Sequence, residues 1–378
     1  MNPMSNALRC APHVAALAFP CLVAAQAMPP VVDRNNLYSE AGAGKFSAAV
    51  ADALPRVYVP NLQTNDVYVI DPATLKVIDK FKVGLNPQHI VPSWDLQTLW
   101  VTNNAEGRTD GTLTPIDPKT GKPGKAVQVD DPYNMYFTPD GVSAIVVAEA
   151  RKRLDFRDPH TMKTQYSINT PGCAGINHAD FSIDGTFAIF TCEFSGGLVK
   201  IDLVNRKVLG YLTLAKGGMP QDVRVSPDGK IFFVADMMAD GVHVIDGESF
   251  KKIEFIKSGV GSHGLYPSRD GTKLYVANRG INKIHGVPGG KGSVSVIDFA
   301  THKVEANWPI PGGGSPDMGN VSGDGKMLWL SGRYDNVVYA IDTTSGTVTK
   351  IPVGKEPHGL TVWPQPGRYS LGHTGNMR

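Results

Sequence analysis

The chain lacks most of the local motifs from which an activity is read directly. No G-x-S-x-G element occurs, which excludes the nucleophile elbow of a serine hydrolase. No C-x-x-C-H occurs, which excludes covalent c-type haem attachment, and there is no H-E-x-x-H zinc helix. Gly312-Gly313-Gly314 and Gly289-Gly290 are not set between a strand and a helix, so neither is a phosphate cradle. An excess of one charge is also missing. The 37 Lys and Arg balance 35 Asp and Glu to a net +2, without the cationic stripe that a nucleic-acid partner requires. Beyond residue 30 no run of 18 apolar residues exists, so no membrane span is expected. Cysteine is scarce, with four in 378 residues.

The first 27 residues differ from the rest. Arg9 is the only charged side chain before Asp33, an apolar stretch runs from Val14 to Ala25, and Ala25-Gln26-Ala27 has small-x-small spacing. A basic start, apolar middle and small exit predict a signal peptide over 1–27 and a periplasmic or secreted protein. Residues 28–52 carry little strand signal and are expected to be a linker or short helix. Of the cysteines, Cys10 and Cys21 leave with the leader, and Cys173 and Cys192 remain.

What is present is repetition. A strand pair ending in V-I-D-x-x-T-x-K-V recurs, its Asp at Asp71, Asp117, Asp158, Asp202, Asp246, Asp298 and Asp342. A second marker, S-P-D-G, gives Asp95, Asp140, Asp184, Asp228, Asp270 and Asp324, at steps of 45, 44, 44, 42 and 54 residues. A period in the low forties with several short strands per unit means a radial β array. Each repeat divides into strands A to D, as in Asp222–Ser226, Ile231–Asp236, Gly241–Asp246 and Lys251–Lys257, with Asp-Gly as the A–B hairpin signal. Arg56–Val83 supplies only strands B, C and D, and Gly359–Trp363 supplies the missing A. The expected fold is therefore an all-β, seven-bladed propeller over 53–368, closed by a blade stitched from both ends, which leaves no free sheet edge. A tail, 369–378, follows. It would repeat a strand already supplied by Arg56–Asn61, so the repeat assigns no place to its His373 and Met377.

Leu99-Trp100-Val101-Thr102-Asn103, Tyr58-Val59-Pro60-Asn61 and Tyr275-Val276-Ala277-Asn278, with Val294–Val304 after the last, resemble the YVTN-repeat propeller family. The resemblance covers essentially the whole mature chain and extends to exported proteins of unassigned activity that share the tail Y-S-L-G-H-T-G. It implies the fold and leaves the activity open, since similar propellers include binding proteins, lactone hydrolases and the haem-binding domain of some nitrite reductases.

In a propeller the first residues of each strand A line the mouth of the central channel. In ring order they are Gln88-His89, Tyr133-Asn134, Asn177-His178, Gln221-Asp222, His263-Gly264, Asp317-Met318 and His358-Gly359. His89, His178, His263, His358, Asp222 and Asp317 suit a copper, zinc or iron centre, and the wider set an organic ligand. The same polar groups can instead bond neighbouring loops or water, so the case for a ligand rests on the set. Met237 and Met238, near Asp222, would favour copper, and the long loop Gly280–Gly292 can act as a lid. Cys173 and Cys192 are expected at one end of the same blade. A disulfide there would add roughly 3 kcal/mol; a thiolate metal pair beside His178, or two free thiols, are the alternatives. The functional expectation is an exported protein that binds a metal or small molecule at this mouth. The alternatives are a copper- or haem-type envelope oxidoreductase, a lactone hydrolase, or a platform for an envelope protein partner.

Overall fold

A computed structural model of the chain describes residues 28–378. The expected leader, with Cys10 and Cys21, lies outside the described residues. Seven antiparallel sheets surround a channel. Blade 1 consists of Thr361–Trp363, Arg56–Asn61, Asp66–Asp71 and Lys76–Lys82, from the axis outward. Its closure pairs Arg56 with Trp363, Val57 with Val362 and Tyr58 with Thr361. Blades 2 to 7 follow in chain order, their inner strands being Pro87–Pro92, Pro132–Phe137, Ile176–Phe181, Pro220–Val225, Ser262–Pro267 and Pro316–Val321. Blade 2 alone has a broken outer strand, Lys122–Pro123 and then Val127–Gln128. Pro123 faces Ile116 beside Pro115, and neither proline has an N–H to give the ladder.

The two signature aspartates build corners. At the A–B hairpin a Ser or Thr hydroxyl donates to the Asp two residues on, as in Ser226 to Asp228 at 2.6 Å. Ile231 N–H then closes the turn onto that hydroxyl at 3.0 Å. At the C–D corner the Asp accepts from the backbone two or three residues ahead, as Asp202 does from Val204 and Asn205. These are Asx turns, and only a short carboxylate reaches back to the chain in this way. The asparagine that ends strand B also has a structural task. Asn278 Nδ2 donates to Ser293 and Ser295 Oγ, and Asn103 Nδ2 to Thr112 and Thr114 Oγ1, locking B to C. A Cβ on Gly259 would lie 2.6 Å from the Asn278 amide, so that loop position must be glycine.

Strands B and C lie between blades and are almost wholly buried, whereas outer strands such as Lys207–Thr213 alternate half-buried with exposed residues. The N-terminal segment lies along the face opposite the mouth. It forms two 3-10 turns, Ser39–Ala41 and Ala48–Val50, and the Tyr38 hydroxyl donates to Val225 O.

Candidate functional site in the channel

Every inner strand begins with a one-residue bulge. The register shifts between Pro87 and His89, Ile176 and Ala179, Pro220 and Val223, Ser262 and Leu265, and Pro316 and Gly319, each over the neighbouring strand B. Blade 3 shifts at Pro132–Asn134, and blade 1 between the Pro357–Asn61 bridge and Thr361. A regular strand would turn successive side chains to opposite faces. The bulge instead brings Gln88 and His89, and likewise Asn177 and His178, to the channel together.

A bulge leaves backbone groups outside the ladder, and strand B supplies their partners. Thr102 Oγ1 accepts from His89 N–H at 3.1 Å and donates to Tyr133 O of the next blade at 3.0 Å. Thr191 Oγ1 does the same for His178 N–H and Gln221 O, at 3.0 and 2.8 Å. Each hydroxyl fixes a channel histidine and ties two blades.

The four expected histidines converge. Ring centroids lie 5.3 Å apart for His89 and His178, 4.6 Å for His89 and His358, and 6.2 Å for His263 and His358. A fifth joins them from the tail. Residues 369–378 turn back into the channel as a plug: Leu371 O accepts from Phe137 N–H, Asn376 Nδ2 donates to Ala179 O, and Arg378 pairs with Asp180 at 2.8 Å. At its tip, the turn His373–Gly375 sets the His373 ring 3.9 Å from His89 and 4.9 Å from His178.

Two buried groups result. In the first, one ligand atom from each of His89, His178 and His373 lies within 4.8 Å of the others. Both ring nitrogens of His89 and of His178 are buried without a hydrogen-bond partner. Burial holds all three imidazoles well below their usual pKa, hence neutral. The second group, His263, Asp317 and His358, is equally compact but already committed. Arg279 grips both Asp317 oxygens at 3.0 Å, and His263 Nδ1 stands 2.8 Å from Oδ1 without hydrogen-bond alignment. His358 Nδ1 meets Gln88 Oε1 at 3.1 Å, and its Nε2 lies 3.7 Å from Asp317. Burial opposes ionisation of Asp317, yet Arg279, then His263 and His358, hold it well below the usual carboxylate range. Burial, reinforced by Arg279, lowers His263 to about 4.

The remaining expected residues divide. Tyr133 packs edge-on to His89 at 5.4 Å, and Asn177 Nδ2 donates to Glu193 at 2.9 Å. Gln221 donates to Met219 O, and Asn134 is spent on Met135 N–H and the Tyr136 hydroxyl. Asp222 belongs to neither histidine group. It accepts from Val223 and Leu265 N–H and stands 3.6 Å from Arg224, with burial raising its pKa to about 6. Met237 is buried with its sulfur 3.6 Å from Arg279, away from Asp222's partners, and Met238 is exposed. The long loop bridges the two flanking blades: Asn282 donates to Asp240 of blade 5, Gly289 N–H to Asp335 of blade 7, and Ile284 O accepts from Tyr334. Cys173 and Cys192 are disulfide-bonded, with Cα atoms 4.9 Å apart, which removes the thiolate-pair alternative.

A further ring was not anticipated. The residue directly after each strand B faces the mouth, giving Leu62, Asn104, Glu149, Glu193, Met237, Arg279 and Arg333 from blade 1 to blade 7. Two acids on adjacent blades thus stand across the mouth from two arginines. Burial and mutual repulsion, with Asp131 adding to it, push the Glu149 carboxyl well up, and burial raises Glu193. Aligning the repeats at the end of strand B was the signal that could have shown it. His373 had no such signal, because the tail lies outside the repeat.

A family described as YNCE-like beta-propeller matches residues 11–366. Protein YncE of Salmonella typhi is 22% identical over 349 residues, covering 82% of this chain and 88% of its own length. Among solved structures, the Pseudomonas aeruginosa periplasmic gluconolactonase PpgL superposes with a TM-score of 0.64 at 18% identity, over 81% of this chain and 98% of that one. Dihydro-heme d1 dehydrogenase NirN superposes with a TM-score of 0.60 at 15% identity, over 81% and 75%. The two structural likenesses establish the fold alone. The family match spans nearly the whole chain, which therefore belongs to the YNCE-like β-propellers.

Proposed function

We propose that this is an exported propeller that binds one transition-metal ion, of copper, zinc or iron, in its channel through His89, His178 and His373. One observation carries the reading: three buried imidazoles place ligand atoms within 4.8 Å of one another, and four ring nitrogens of His89 and His178 have no hydrogen-bond partner. An unsatisfied buried polar group costs about 1–3 kcal/mol, and a metal would satisfy one nitrogen on each ring. Neutral imidazole suits all three metals. The ring centroids stand 3.9 to 5.3 Å apart, so one ion between them would be shared by all three imidazoles. A bound ion would supply Lewis acidity or, for copper or iron, redox chemistry. Export is supported by the disulfide, a bond kept in oxidising compartments, and by the apolar leader.

The test is metal content by mass spectrometry, on protein sent to a periplasm and purified without chelator or His tag. About one ion per chain is expected, and its loss in His89→Ala and His178→Ala. A protein that stays metal-free after incubation with copper, zinc and iron overturns the proposal.

A further inference from the structure

The ring of residues after strand B carries charge in a definite pattern. Arg279 is consumed by Asp317, but Arg333 is not. Its side chain is 13% exposed, its nearest carboxylate oxygen is 3.9 Å away, and its Nε is buried without an acceptor. On the other wall stand Glu149 and Glu193, and beside them Asn177. Asn177 donates to Glu193, while its own Oδ1, fully buried, has no donor. Unused donor capacity thus sits on the cationic wall and unused acceptor capacity on the acidic one. The geometry of seven makes the opposition direct. Blade 7, bearing Arg333, is three steps from blade 3 and three from blade 4, so it faces the gap between Glu149 and Glu193.

We infer that the channel mouth is a receptor site for a small zwitterion, its carboxylate on Arg333 and its ammonium between Glu149, Glu193 and Asn177 Oδ1. A simple anion that reached Arg333 would face two carboxyl groups, and a simple cation on the glutamates would face a guanidinium. Burial and mutual repulsion favour the protonated glutamates, and an ammonium between them restores their charge, so a molecule carrying both charges satisfies both walls while a single-charge competitor satisfies one. Tyr133 stands beside the acidic wall, its hydroxyl receiving Asn177 Nδ2, and its ring lies 6.5 Å from His358. The inference does not rest on the metal reading, because none of these charged groups is a proposed ligand.

Calorimetric titration of the full chain tests it, with glycine, 4-aminobutanoate and glycylglycine as zwitterions of increasing charge separation. Acetate and methylammonium are the single-charge controls. The series is run on chelator-treated and on metal-loaded protein, so failure of the metal site and failure of this one are seen separately. At least one zwitterion is expected to bind ten-fold or more tighter than either control. Arg333→Gln and Glu193→Gln are each expected to weaken it ten-fold or more, and Arg333→Lys to weaken it less. Circular dichroism establishes that each variant is folded, with Glu149→Gln replacing any that is not. Equal binding of acetate or methylammonium, no zwitterion binding in either form, or undiminished binding by folded variants overturns the inference.

Discussion

Thr191 shows how much of the site depends on a single hydroxyl. It takes the N–H that the bulge releases at His178 and hands its own hydrogen to Gln221 O in the next blade. Valine has the same shape and neither capacity. Thr191→Val is therefore expected to cost about 1–3 kcal/mol, the penalty of buried groups left unpaired, as a lowered urea midpoint. The same variant should bind metal more weakly, because His178 loses its anchor. Gly359 makes the complementary point, since a Cβ there would run into the His89 ring. The corner aspartates behave differently. Hydrogen bonds from the Asn205 backbone and side chain lower the Asp202 pKa, and those from the Ser249 hydroxyl and then its N–H lower Asp246. A carboxylate with a lower pKa folded than unfolded stabilises fully above the unfolded value, about 3.9. That stabilisation is lost as pH falls through the folded value. The urea midpoint of the wild-type protein should fall between pH 5 and pH 3, and fall less in Asp202→Asn/Asp246→Asn.

At the scale of elements, the disulfide and the bulged inner strand of blade 4 work on one corner. Cys173 precedes that strand and Cys192 ends its neighbour, both buried, with Asn177, His178 and Glu193 close in sequence to them. A cross-link at a sequence separation of 19 should be worth about 3 kcal/mol, mainly by restricting the unfolded chain. Cys173→Ser/Cys192→Ser is expected to lose about that much in denaturant titration, and dithiothreitol should bring the wild type to the same midpoint. The tail is the other element on which the site depends. Leu371 and Met377 are 2% and 1% exposed, and burying such side chains is worth about 1.5–3 kcal/mol each. Deleting 369–378 should lower the melting temperature clearly, and His373→Ala, which removes one buried ring, should lower it less. Both should weaken metal binding, since both remove the third imidazole.

For the whole molecule, ring closure sets the geometry on which both proposals depend. Residues as distant in sequence as Gln88 and His358 touch because blade 1 is built from the two ends of the repeat. Seven inner strands then give seven equivalent places at each level of the channel. Chemistry can vary from place to place while the backbone does not, which is how one ring holds neutral histidines at depth and opposed charges at the mouth. The N-terminal segment and the plug brace the far end, with Tyr38 bonded to Val225 O and Arg378 to Asp180.

The sequence by itself determined the blade count, the stitched closure and the strand starts that line the channel. Each of these follows from local periodicity: alternating strands, Asx corners, and a repeat that cannot bury its faces alone. It also placed His89, His178, His263, His358 and Asp317 near one another, since equivalent positions in a closed ring must converge. Only the tertiary structure decided which of them form a group. Asp222 turned to Arg224, Asp317 was taken by Arg279, and His373 arrived from a tail that belongs to no repeat. Such pairings depend on which buried charge finds which partner across the channel. Periodicity along the chain constrains where a side chain points, and the electrostatics between blades decides what it meets there.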